Sequence, residues 1–263
     1  MKILVCVKQV PDTTEVRIDR ETNTLQREDV PSILNPFDRH ALEAALRVKE
    51  RCGGTVSVLT MGPLQAQEVL KECLALGADE AVLLSDKAFA GADTLATSRT
   101  LAAAISKLGP AELVFCGKQA IDGDTAQVGP ELAEHLNMAQ VTCVSSLEVF
   151  PEQQRLIAER EVEDGHEVLE LSFPAVLTIS KCLNEPRYPS IKGRLRANKT
   201  SIPILKLADL GLQAEETGIQ GSPTRVVRIF APETRKGGEV IQGMAPRQAA
   251  DLLAIRLKQA GIF

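Results

Sequence analysis

Short apolar runs alternate with longer stretches of helical period along the first half of the chain. The runs are ILVCV at 3–7, TVSVLT at 55–60, EAVLL at 80–84 and ELVFC at 112–116. Predominantly apolar runs of this length, spaced by helices, are the pattern of a parallel sheet covered on both faces. Asn35 and Pro36 suit the start of one helix, in which Ala41, Leu42, Ala45, Leu46 and Val48 form an apolar stripe that ends at Cys52–Gly54. A second helix enters at Gly62 and Pro63, turns Val69, Leu70, Cys73, Leu74 and Leu76 inward, and stops at Gly77. A third runs through DTLATSRTLAAAISKLG. The predicted class is α/β, a doubly wound parallel sheet flanked by helices, with a hairpin extension and a C-terminal arm and helix.

The texture changes near Phe150. Two alternating runs flank Glu163-Asp164-Gly165, the signature of a β-hairpin, and PAVLTIS then reads as another buried strand. From Cys182 the chain is rich in Pro, Arg and Lys and carries no strong period, which fits a linker or an extended arm. APRQAADLLAIRLKQAGIF regains helical period. We assign residues 1–223 to a nucleotide-binding α/β domain and 224–263 to a C-terminal strand and helix arm.

In doubly wound folds ligands collect in the loops beyond the carboxyl ends of the strands. The candidate loops are VKQVPDT, LNPFD, TMGP, GADT and the turn within CGKQAIDGDTAQVGPELAEHL at 116–136. In that turn, a strand ending at Cys116 and a helix starting near Thr125 would aim free N–H groups and a positive helix end at an anion such as phosphate. Thr125 adds a hydroxyl, Gln127 an amide, and Gly129 permits close backbone approach. Asp122 and Asp124 fit ribose hydroxyls, or equally cap the helix. There is no G-x-G-x-x-G and no P-loop.

Composition narrows the chemistry. A formal net charge of -5 supplies no general attraction to nucleic acid, and no apolar run is long enough to span a bilayer. The six cysteines are scattered singly, without zinc spacing, and read as buried thiols in a reducing compartment. With no signal-peptide pattern at Met1, a cytoplasmic protein is expected. The three histidines lie in helical patterns or beside the hairpin, and no catalytic triad is inferable from spacing. We therefore assign no catalytic residue and no metal ligand, and expect a cofactor to carry any chemistry.

VKQVPD, NPFDRHALEAALRVKE, GKQAIDGDTAQVGP and KCLNEPRYPSIKG, in this order, resemble the beta subunit of electron-transfer flavoproteins, as does AEREVEDGHEVLELSFPAVLT. The resemblance covers nearly the whole chain. It implies a heterodimer with an alpha subunit that carries one flavin, while the beta subunit binds an adenine nucleotide. It places nucleotide contacts on Cys6, on Asn35, Pro36, Phe37 and Asp38, and on Met61. Further contacts fall on Asp122, Gly123, Asp124, Thr125, Ala126 and Gln127, and on Val128, Gly129, Pro130, Glu131, Leu132 and Ala133. These are among the loops that topology nominates.

In family members that hold AMP, the turn resembles a run of three acids, a variable residue and NQTG. Here it is DGDTAQVG, with Gly123 in the middle and Thr125 and Val128 changed. One carboxylate fewer reduces repulsion and leaves room for a second phosphate. The turn thus resembles the branch that binds a second FAD, takes hydride from NADH and bifurcates the electrons. One goes to ferredoxin or flavodoxin, the other through the alpha-subunit flavin to an acyl-CoA dehydrogenase or quinone-linked enzyme. The resemblance also implies a partner-recognition loop around 183–200 with Ile191 as its anchor, steered by Lys192, Arg194 and Arg196. The alternatives are a conventional carrier with structural AMP and a stand-alone adenine-nucleotide-binding module; a ligase consuming ATP lacks a motif.

Overall fold

A computed structural model describes residues 1–12, 31–227 and 238–262, in two units, Met1–Val227 and Arg228–Phe263. In the first unit a central parallel sheet is built from β1 (Lys2–Cys6), β4 (Thr55–Met61), β5 (Glu80–Leu84), β6 (Leu113–Gly117) and β10 (Ala175–Ile179). The remaining strands of this sheet are β7 (Ala139–Phe150), β8 (Arg155–Val162), β9 (Gly165–Ser172) and β11 (Ile204–Leu205), and the order is β11-β5-β4-β1-β6-β10-β7-β8-β9. Pairing is parallel from β11 to β7 and antiparallel through β8 and β9. A separate antiparallel pair joins β2 (Gln9–Pro11) to β3 (Ser32–Leu34).

The apolar runs are apolar because both faces of each strand are covered. Along β1, Ile3 and Val5 pack with α1 (Pro36–Cys52) and α2 (Gln67–Leu76), whereas Leu4 and Cys6 pack with α3 (Thr94–Leu108) and α4 (Val128–Leu136). Period-two alternation divides each strand between two cores. The stripe expected on α2 is buried, with Leu70 and Cys73 fully inaccessible, and Gly77 ends the helix. Asp93 caps α3, its carboxylate accepting from Ala96 N–H at 3.0 Å. The hairpin closes at Glu163–Asp164, where Val162 faces Gly165.

Three expectations are corrected. The segment after Lys181 is neither linker nor extended arm: it contains α5 (Ile191–Lys199), β11 on the sheet edge and α6 (Leu207–Leu210). Periodicity is silent on α5 because it buries only Ala197. The helix seats on α2 through space and polar contacts: a Cβ on Gly193 would lie 2.2 Å from the Ala75 carbonyl oxygen, and Arg196 donates to the Leu74 and Ala78 carbonyls at 2.9 and 2.8 Å. Arg196 is thus spent on the end of α2 and is not a free steering charge. The cysteines also differ among themselves: Cys6, Cys73 and Cys116 are buried, Cys52 and Cys143 half-buried, and Cys182 exposed.

In the second unit the described residues hold α7 (Pro246–Gln259), which buries no residue. The C-terminal strand expected after Thr224 finds no strand over 224–227, and its remainder at 228–237 lies outside the described residues. Among the described residues, no helix is long and apolar enough to cross a membrane.

Candidate functional site

The chain leaves β1, builds β4 and β5 on one side, and returns through α3 to place β6 on the other. The order of strands therefore reverses between β1 and β6, and their carboxyl ends diverge into a crevice. Cys6 and Cys116 face each other in register at that point, both buried. The Cys6 thiol and burial together hold the Cys116 thiol well above its ordinary value, so Cys116 is an uncharged part of the floor.

One buried carboxylate ties the crevice together. Asp38, in the first turn of α1, accepts from Lys8 N–H at 2.7 Å and from Gly117 N–H at 3.1 Å, joining the segments that follow β1 and end β6. Burial pushes the Asp38 carboxyl up to about 7, against the lowering by Asn35, by these N–H groups and by the Lys8 charge. Asn35 occupies the cap position of α1 without capping it. Its side chain instead donates to Gln119 O at 2.9 Å and accepts from Ile121 N–H at 3.3 Å, which fixes the start of the acidic turn. Phe37 is half-buried, with Lys181 Nζ 4.5 Å over its ring. Pro36 and Met61 are also half-buried, Met61 closing β4 beside β1.

The acidic turn differs from its expected form in two ways. First, α4 begins at Val128, three residues later than Thr125, and neither aspartate caps it. Asp122 pairs with Lys8 Nζ at 2.7 Å, and Asp124 accepts from Gln119 Nε2 at 2.7 Å. Second, Asp124 and Ala126 adopt left-handed φ values of 49° and 54°, with Gln127 right-handed at -100°. A left-handed alanine is held against its own steric preference, and such alternation points successive N–H groups into a common concavity that suits anions. Among the described residues, the backbone N–H groups from Thr125 through Gly129 have no partner.

The two glycines of the turn have opposite roles. A Cβ at Gly123 meets nothing within 4 Å, so packing does not require glycine there. A Cβ at Gly129 would lie 2.3 Å from the Thr178 methyl, so packing requires glycine there to seat α4 on β10. Leu132 and Ala133 belong to the core beneath α4, while Pro130 and Glu131 are half-buried. Thr94, at the start of α3, donates to Glu131 Oε1 at 3.0 Å and brings the GADT loop to the mouth of the crevice.

The crevice can accept phosphate at the start of α4, with the carboxylate of Asp122 already engaged by a lysine. The donor run and the open Gly123 fit a nucleotide. Lys8, Thr94 and Gln119 are absent from the residues expected on sequence grounds. The loops that carry Lys8 and Thr94 were among the candidates, but the bonds link positions as far apart as 8 and 122, and no local pattern reports such a pair.

Comparison with known proteins identifies the family. Residues 22–210 match the family model described as the electron transfer flavoprotein domain. The chain is 55% identical, over the whole of both chains, to the electron transfer flavoprotein subunit beta of Thermoanaerobacterium thermosaccharolyticum. It is 53% identical, again over both complete chains, to the caffeyl-CoA reductase-Etf complex subunit CarD of Acetobacterium woodii. The protein FixA of Azotobacter vinelandii is 44% identical over 92% of this chain and 88% of its own. With the family model across most of its length and relatives of this identity end to end, the chain belongs to the beta subunits of the electron transfer flavoprotein family.

Proposed function

We propose that the crevice between β1 and β6 holds FAD, and that the chain works with an alpha subunit as a bifurcating electron-transfer flavoprotein. The observation that carries this reading is the run of N–H groups from Thr125 to Gly129 without a partner among the described residues, next to Gly123, where a Cβ would meet nothing within 4 Å. A dinucleotide brings two linked phosphates, and this run is longer than a single monophosphate needs. The relative named for a caffeyl-CoA reductase complex supports an acyl-CoA partner. Bound FAD would supply the chemistry: hydride uptake from NADH, with one electron passing to ferredoxin or flavodoxin and one, through the alpha-subunit flavin, to an acyl-CoA dehydrogenase or quinone-linked enzyme.

The chain's own residues bind and orient. The N–H run holds the pyrophosphate, Lys8 offsets the Asp122 charge beside it, and Asn35 fixes the turn from below. The C-terminal unit offers an apolar surface to the alpha subunit, since Leu253 and Ile255 of α7 are exposed.

The purified heterodimer, denatured and chromatographed, is expected to release FAD from both subunits and no AMP. One FAD with one AMP would return the chain to the conventional carriers. Thr125→Glu is expected to empty the beta site alone, because a carboxylate among the N–H donors repels the pyrophosphate. Thr125 is exposed, so its replacement leaves the fold intact, and undiminished flavin in this variant would mean that the phosphates lie elsewhere.

The docking surface is assigned to the segment around α5. Ile191 is 82% exposed at its first turn, with Leu195 one turn on and the exposed cations Lys192 and Arg194 beside them. Ile191→Ala is expected to raise KM for an acyl-CoA dehydrogenase about tenfold, the scale of one buried aliphatic anchor. An unchanged KM would rule the anchor out.

A further inference from the structure

The motif that precedes the docking segment is stitched to α1 residue by residue. Asn184 Nδ2 donates to His40 O at 3.0 Å, and Arg47 donates to Glu185 O at 3.0 Å. Arg187 makes the last and densest contacts. Its backbone N–H and Nε both reach Glu43 Oε2, at 3.2 and 2.7 Å, and its guanidinium also reaches both oxygens of Glu50, at 2.5 and 3.0 Å. Glu43 is 4% exposed and also accepts from Arg47 Nε at 2.6 Å. Burial alone would raise the Glu43 carboxyl, but the Arg187 and Arg47 bonds outweigh it and hold it below its ordinary value. Immediately beyond, Tyr188 is 90% exposed, and Ser190 caps α5 by accepting from Gly193 N–H at 2.9 Å.

The exposed segment is thus fastened at two ends: by Arg187 to α1, and by Arg196 to the end of α2. Between them Tyr188, Ile191, Lys192, Arg194 and Leu195 are exposed, with no core to define their positions. A planar guanidinium spanning two carboxylates fixes direction as well as distance, which lysine cannot reproduce.

We propose that Arg187, clamped by Glu43 and Glu50, is the positioning residue of the docking surface: it fixes the exit direction of the chain so that Ile191 projects toward the partner dehydrogenase. This rests on the reading of Ile191 as the anchor. Arg187 is engaged by Glu43 and Glu50 of α1, and acts through the segment it orients. The preorganisation lowers the ordering cost of association, so its loss falls on partner affinity and not on turnover.

The test uses the flavin-loaded heterodimer, with a purified short-chain acyl-CoA dehydrogenase as acceptor. Arg187→Lys and Arg187→Met are compared with Ile191→Ala, and Glu50→Gln, at an exposed carboxylate, serves if the methionine variant does not fold. The Arg187 variants are expected to raise KM for the dehydrogenase about tenfold with kcat preserved, and to speed amide hydrogen exchange at Tyr188, Ser190 and Ile191. A raised KM in Ile191→Ala with none in the Arg187 variants would overturn the clamp and leave the anchor standing. An unchanged KM in all variants would overturn both. Flavin loss and a fall in kcat matching the rise in KM would make Arg187 merely structural and also overturn the proposal.

Discussion

Gly117→Ala is expected to destabilise the full-length chain by about 3 kcal/mol, the upper end of overpacking costs, and to disorder the nucleotide crevice with it. The added methyl would lie 2.3 Å from Asp38 Oδ1, 2.7 Å from Asp38 N and 2.7 Å from the Phe37 carbonyl carbon. Two of these are backbone atoms in the first turn of α1, which cannot give way as the tip of a flexible side chain would. The third accepts the hydrogen bond that Gly117 N–H donates at 3.1 Å, so relief by moving Asp38 breaks the link between α1 and β6. Gly123→Ala is the control, since its methyl meets nothing within 4 Å and its effect on stability is expected to stay within about 0.5 kcal/mol. Chemical denaturation of both variants checks the pair. Equal stabilities would mean that the crevice is far softer than its packing implies.

The pH dependence of stability is expected to change sharply in Asp38→Asn. In the folded chain burial pushes the Asp38 carboxyl up to about 7, from an ordinary value of 3.8. Between those values the folded chain holds a proton that the unfolded chain has released. Stability from this group is complete below about pH 4 and is lost as pH rises through about 7, a span on the order of 4 kcal/mol. Asparagine carries no titrating proton, so the decline between pH 4 and 7 is expected to flatten. The substitution also turns an amide NH2 toward a backbone N–H that now meets an oxygen, at a cost of about 1–3 kcal/mol even at low pH. Denaturant titrations of both chains across this pH range separate the two effects. A slope that survives in Asp38→Asn would assign it to another group.

Much of the fold is legible in the sequence, because the sheet and its main helices bury regular patterns. ILVCV is apolar at every position because β1 is covered on both faces, and the stripe from Val69 to Leu76 has helical period because one side of α2 meets the sheet. Where burial is slight the pattern vanishes. The helix α5 contributes one buried residue, so its basic sequence reads as loop although Arg196 and the close approach at Gly193 hold it to α2. The candidate site divides in the same way. Its loops follow from strand order alone, since the crevice must open at the carboxyl ends where the order reverses. Its internal wiring does not.

The sequence by itself determined the doubly wound class, the hairpin, the loops that form the crevice and the family to which the chain belongs, because each is written in local period or in contiguous motifs. Only the tertiary structure decided that Asp122 pairs with Lys8 instead of capping a helix, that Asp38 joins β1 to β6, and that Gly129 serves packing while Gly123 is free. The physical reason is range. Helical and strand periods act over a few residues, whereas ion pairs, shared N–H donors and steric limits join positions that only the folded chain brings within a few ångströms.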